Sequence, residues 1–154
     1  MDALRRLVAR IVRGDSGAEL IEFAIALPIL LVVFAGIVDF AILFQRYEVV
    51  TNAAREGARV GILPDYDVPD IQARVNNYLA ASGLADTAPA PGVVYESVEV
   101  TPGGASMDVV TVTVQYPHQF LFLSPVASMV GGGPHADLML AAASTMRREI
   151  AAVP

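Results

Sequence analysis

From Phe23 to Phe44 the chain carries 22 residues with a single charge among them, Asp39. A helix rises about 1.5 Å per residue, so this run reaches roughly 33 Å, against about 30 Å for the hydrocarbon core of a bilayer. One crossing with a modest tilt is therefore within its length. The run leaves about 110 residues from Gln45 onward, enough for one modest hydrophobic core.

Charge divides unevenly around that run. Arg5, Arg6, Arg10 and Arg13 precede Gly17 against only Asp2 and Asp15, whereas the rest of the chain holds six arginines and fourteen acids. An acidic body argues against a phosphate-binding surface, so a nucleic-acid partner is not expected. There is no cysteine and no lysine. The first excludes disulfides and thiolate metal sites, without excluding an extracytoplasmic location. Residues 1–17 read as a short basic leader, and a secretory signal would place its cut beyond the apolar run. Here the plausible cut precedes that run. The arginine bias before the span favours a cytoplasmic leader only weakly, because Arg46, Arg55 and Arg59 follow on the other side.

The segment Gly17-Ala18-Glu19-Leu20-Ile21-Glu22-Phe23 resembles the processing site of type IV pilin-like precursors. The resemblance implies cleavage between Gly17 and Ala18 by a membrane prepilin peptidase. Glu22 would then stand fifth in the mature chain. The lesser alternative for Glu22, on residue chemistry alone, is the polar border of a membrane helix.

Pro28 and Gly36 are weak points within the apolar run, since an interior proline removes a backbone bond and tends to kink a helix. Asp39 follows Glu22 by 17 residues, roughly 25 Å along a helix, which puts it near the far interface. A contact with another subunit's cation is the alternative for this carboxylate. The pattern turns amphipathic at Gln45 and continues as helix to about Ile62, where Pro64 stops it. Ala53, Gly57 and Gly61 recur every four residues. Such a small-residue face admits a close neighbour, either the chain's own sheet or another helix. Thr51, Arg55 and Arg59 form an adjacent polar stripe, with Glu56 placed to pair with Arg59 in solvent.

The stretch Asn52-Ala53-Ala54-Arg55-Glu56-Gly57-Ala58-Arg59 strongly resembles a motif of the TadE-like family of the tight-adherence (Flp) pilus system. Gly36-Ile37-Val38-Asp39-Phe40 is also similar to the family pattern. The resemblance is densest from Gly14 to Gly61 and weaker beyond.

The remaining residues read as an α+β head. Pro64–Pro69 is a loop, and Ile71, Val75, Tyr78 and Leu79 share one face of a second helix stopped by Gly83. Leu84–Gly92 is a proline-containing linker. Val93–Thr101 and Met107–Tyr116 read as strands joined by a hairpin loop, with Val110, Val112, Val114 and Tyr116 on one face and Pro117 as the stop. Phe120–Leu123 is expected to cap the core, and Gly131–Pro134 to be a flexible break. Ala136–Glu149 has helix-forming composition with strand-like alternation. The similarity of Thr145–Glu149 to the family's ending favours a third strand.

Catalytic constellations are missing from the sequence. There is no Gly-x-Ser-x-Gly elbow, and a P-loop needs a lysine that the chain lacks. His118 and His135 are seventeen residues apart, in expected loops, and read as surface histidines rather than metal ligands. Glu96, Glu99 and Asp108 read as exposed strand carboxylates. No enzyme activity, cofactor or metal is expected.

The expected organisation is a leader at 1–17, a helix at 18–63 with its membrane part at about 23–44, and a head at 64–154. The long helix packs on a small three-stranded antiparallel sheet, with one further helix. The resemblance implies a minor pilin-like protein of the bacterial inner membrane with an extracytoplasmic head. It acts in pilus assembly or within the filament. Its partners would be prepilin peptidase, other pilin-like subunits, the assembly machinery and membrane lipid. The rivals are a pseudopilin of a type II secretion system, which should lack the Asn52–Arg59 motif, and an uncleaved, signal-anchored binding or sensory domain.

Overall fold

The computed structural model describes residues 15–84, 88–129 and 138–148. Most of the leader, His135 and the Gly131–Pro134 break lie outside the described residues. The element order is α1 (Asp15–Gly61), α2 (Val68–Ala81), β1 (Gly92–Glu99), β2 (Ser106–His118), α3 (Leu123–Met129) and β3 (Leu138–Arg147). An α+β arrangement with one long helix and a three-stranded antiparallel sheet is therefore present. Among the described residues two further helices accompany it rather than one. The chain divides into two compact units. One holds α1 as far as Phe40 together with 121–133, and the other holds 41–120 together with 134–154.

α1 runs unbroken through Pro28 for 47 residues. Its apolar part is one helix long and apolar enough to cross a membrane, and little of it is buried. Leu20, Ile25, Ile29, Phe34 and Ile37 are each more than 60% exposed. A helix that is apolar all round is ordinarily buried, in a protein core or in a membrane.

The second unit has the protein's buried core. Val50, Ala53, Ala54 and Ala58 of α1 meet Ile71, Val75 and Leu79 of α2 and Val110, Val112 and Val114 of β2. Local chemistry brackets α2 tightly. Asp67 and Asp70 exchange side chain–backbone hydrogen bonds at 3.1 and 3.2 Å, a capping box that satisfies donors at the helix start. At the other end Gly83 takes φ +76°, which a side chain would strain. The Leu84 N–H then donates to Leu79 O at 2.9 Å and the Gly83 N–H to Ala80 O at 3.0 Å. This is a Schellman ending, and it turns Leu84 into the core.

The sheet order is β1-β2-β3. Val110, Val112, Val114 and Tyr116 of the central strand face the core, as their alternation requires. On the other face the Thr111 and Thr145 hydroxyls meet across the β2–β3 pair at 2.8 Å. Three sequence expectations need correction here. Pro117 does not end β2, which pairs with β3 as far as His118. Pairing with β1 stops at Thr113, so Pro117 lies beyond the two-sided part of β2, where a residue without an N–H is tolerated. His118 is not a surface loop residue; it is buried at the end of that strand. Leu121 and Phe122 do not cap the core, because both are exposed and belong to the other unit. Within the stretch read as helix or strand, Leu138–Arg147 is a strand, with Leu140 and Ala142 buried.

The face Ala53–Gly57–Gly61 packs inside its own unit. A Cβ added at Gly57 would stand 2.6 Å from Val75 Cγ2 and 3.0 Å from Val112 Cγ1. At Gly61 it would meet Val110 at 3.0 Å and Ile71 at 3.1 Å. Gly36, on the apolar part of α1, has nothing within 4 Å of the same position. Gly57→Ala is therefore expected to lower stability by about 1–3 kcal/mol through overpacking. Gly36→Ala should leave it unchanged or slightly raised, since alanine is the better helix former. Thermal unfolding of the detergent-solubilised chain compares the two.

Candidate functional site

Three groups of polar residues lie along α1. The first is at its start. Gly17, Ala18 and Glu22 are all helical, Gly17 is half-buried, and Ala18 and Glu22 are exposed. The exposed apolar side chains begin immediately around them, at Leu20, Ile21 and Phe23. Glu22 is thus a carboxylate at the polar end of a hydrocarbon-compatible helix.

The second group is centred on Asp39, the single charge in the apolar run. Its side chain is 1% exposed. The expected partners, solvent at the interface or a neighbour's cation, are replaced by backbone donors of its own chain. Oδ1 accepts from the Leu121 and Phe122 N–H groups at 3.0 and 3.2 Å. Oδ2 accepts from Phe122 and Leu123 at 3.0 and 2.7 Å. The Leu121 and Phe122 amides lie just before α3 and that of Leu123 opens it, where a helix leaves its first N–H groups without internal partners. Burying a carboxylate is costly unless donors surround it, and the start of α3 beside these three amides adds a favourable dipole. All members of this contact lie in one compact unit. Sequence reasoning missed the pairing because some eighty residues separate its two sides. A faint signal was present in Ser124-Pro125, since proline favours the first turn of a helix.

The third group lies in the other unit. Glu56 accepts from Arg59 Nε at 2.9 Å and Arg59 Nη2 at 2.7 Å. It also accepts from Arg74 of α2, through Nε at 2.9 Å and through Nη2. The Glu56 side chain is only 18% exposed, so the pair expected in solvent is a three-member clamp joining α1 to α2. Arg55 stays exposed, and the Thr51 hydroxyl donates to Tyr47 O at 2.8 Å. Further along, Arg46 Nη1 lies 3.2 Å from His118 Nδ1, and its guanidinium stands 5.9 Å from the centre of the Tyr116 ring. The continuing alternation Val114, Tyr116, His118 was the signal that His118 faces inward. Among the described residues no group of three or more histidines, aspartates or glutamates is placed to hold a metal ion.

The Arg59 hydrogen bonds, followed by those of Arg74, hold the Glu56 carboxyl down at about 2, from an ordinary value of 4.5. The same contact raises Arg59. A carboxyl lowered on folding contributes stability that is present above its ordinary pKa and is lost as pH falls toward the folded value. Glu56→Gln is therefore expected to lower the unfolding midpoint modestly at pH 7. The gap to wild type should shrink as pH falls from 4.5 toward 2. A gap that stays constant over that range would show that the contact is not ionic.

Residues 17–59 match the family model described as TadE-like protein. The match opens at Gly17, spans the apolar run with Asp39, and closes at Arg59. It therefore takes in Gly17–Glu22, Asp39 and the Glu56–Arg59 pair. No curated protein and no solved structure matches the chain. TadE-like character suggests a role in the tight-adherence pilus system and association with its machinery. A helix fit to cross a membrane is consistent with anchoring there. Over residues 17–59, the long helix and its polar stations, the chain is similar to the TadE-like family.

Proposed function

We propose that this chain is a minor pilin-like subunit that takes part in assembling the tight-adherence pilus. In this reading a prepilin-type peptidase cuts between Gly17 and Ala18. The apolar part of α1 then holds the chain in the inner membrane by a single pass, with its head outside the cytoplasm. The protein's work is structural rather than catalytic. The observation that carries the reading is the match over residues 17–59, which begins at the glycine of the processing pattern. The unburied apolar helix directly after it supports the same role.

The assembly step has a physical basis. Cleavage frees an α-amine on Ala18 beside hydrocarbon, where a cation needs a carboxylate partner. Glu22 of a neighbouring helix supplies one, setting the axial stagger between subunits as their helices bundle. Because the chain has no lysine, cleavage leaves Ala18 as the one primary amine of the mature chain. Amine-reactive labelling with peptide mass analysis should then tag Ala18 in membrane-resident protein, whether or not it is methylated. A tag on Met1 would instead favour the signal-anchored reading. Gly17→Leu should block the cut.

Glu22→Gln separates insertion from assembly, since it keeps size and hydrogen bonding but removes charge. It should insert and be cleaved normally, yet fail to support filaments, as seen by electron microscopy of surface pili. Normal pili from the Gln variant would reduce Glu22 to the polar border of a membrane helix.

A further inference from the structure

Residues 121–126 show an unusual combination. Leu121 and Phe122 are 63% and 44% exposed, yet their N–H groups and that of Leu123 are all taken by the buried Asp39 carboxylate. Pro125 has no N–H to satisfy, and the Val126 N–H reaches Phe122 O at 3.4 Å. The Ser128 hydroxyl donates to Pro125 O at 2.7 Å. A turn that shows apolar side chains outward while its first amides are occupied suits hydrocarbon, where an unpaired amide costs several kcal/mol.

The same residues form one wall of an open cavity of about 410 Å³. Phe122, Pro125 and Val126 face Leu31, Phe34 and Val38 across it. That second wall belongs to the apolar run itself. Asp39 lies five residues before the end of the run at Phe44, roughly 7–8 Å along the helix. The cavity and the Asp39-held turn thus share a depth with side chains that are themselves suited to lipid.

Resting on the reading that α1 spans a membrane, we propose that residues 121–126 are a second membrane-contacting element. They enter the leaflet nearer Phe44, Asp39 is the latch that holds them against α1, and lipid acyl chains fill the cavity. The charge that looked misplaced in the span thereby lets a distant segment enter the bilayer.

The chain has no cysteine, so single nitroxide labels can be introduced into the full chain. The labels go on Leu121→Cys, on the exposed span positions Ile29→Cys and Ile37→Cys, and on the exposed head position Ser82→Cys. The protein is reconstituted in vesicles of phosphatidylcholine and phosphatidylglycerol in equal parts. Collision with oxygen is compared with collision with a water-soluble nickel chelate. At Leu121 the oxygen-to-nickel ratio should match that at Ile37 and exceed that at Ser82 severalfold. In Asp39→Ala the Leu121 label should gain mobility and nickel access severalfold, while Ile37 and Ser82 stay unchanged.

A Leu121 label as aqueous as Ser82, beside a lipid-exposed Ile37, would overturn the inference and leave the spanning reading intact. Aqueous labels at Ile29 and Ile37 would overturn the spanning reading as well. Shielding of Leu121 from both reagents, with spin broadening relieved by unlabelled chain, would place a second copy there instead of lipid. An Asp39→Ala variant with an unchanged Leu121 label would remove Asp39 as the latch.

Discussion

The core rests on how closely α1 approaches its own head. At Gly57 and Gly61 there is no room for even one added carbon between the helix backbone and Val75, Val112, Val110 and Ile71. Valines of the central strand can reach into the helix face because side chains are missing there. Dispersion is short-ranged, so each contact gains most when backbones come near. Ala53, Ala54 and Ala58 extend the same thin face. The Glu56 clamp then ties α2 to the flank of that helix through Arg74. Large residues on this face would hold α1 off the sheet and open the core.

Within the other unit the organising contact is polar. An aspartate in an apolar helix is expensive unless its oxygens are occupied. Asp39 meets that demand with three successive amides at and just before the start of α3. Each side resolves the other's deficit: the carboxylate has donors and the helix start has an acceptor. Neither half is satisfied alone, so a loop far along the chain is held to the apolar part of α1. This explains how a single acid can sit in a membrane-length run without marking its end.

Much of the architecture was legible before any coordinates. The 22-residue apolar run, the small-residue spacing and the valine alternation of β2 are local patterns with fixed periods. Gly83 ends α2 by chemistry acting within a few residues, whereas the start at Val68, capped by Asp67, fell inside the stretch read as a loop. The family likeness over the long helix was also readable, because its motif is contiguous. Misreadings fell where local rules meet tertiary context. Pro117 looks like a strand stop, and becomes tolerable because the pairing of β2 with β1 reaches only to Thr113. Phe120–Leu123 looks like core by composition, yet Leu121 and Phe122 are exposed and their backbone binds an acid eighty residues away.

The sequence by itself therefore determined a membrane-length helix continuing into an amphipathic one, a helix-and-hairpin head, and a processing-like pattern at Gly17 and Glu22. Periodicity and capping act over a turn or a strand, so a linear reading reaches them. Only the tertiary structure decided what Asp39 touches, that Arg74 joins Glu56 and Arg59, and that β3 is a strand rather than a helix. These depend on residues far apart in the chain meeting at hydrogen-bond distance. Alanine-rich β3 shows the reason most plainly: its composition suits a helix, and it is a strand because the open edge of β2 offers ten residues of backbone pairing.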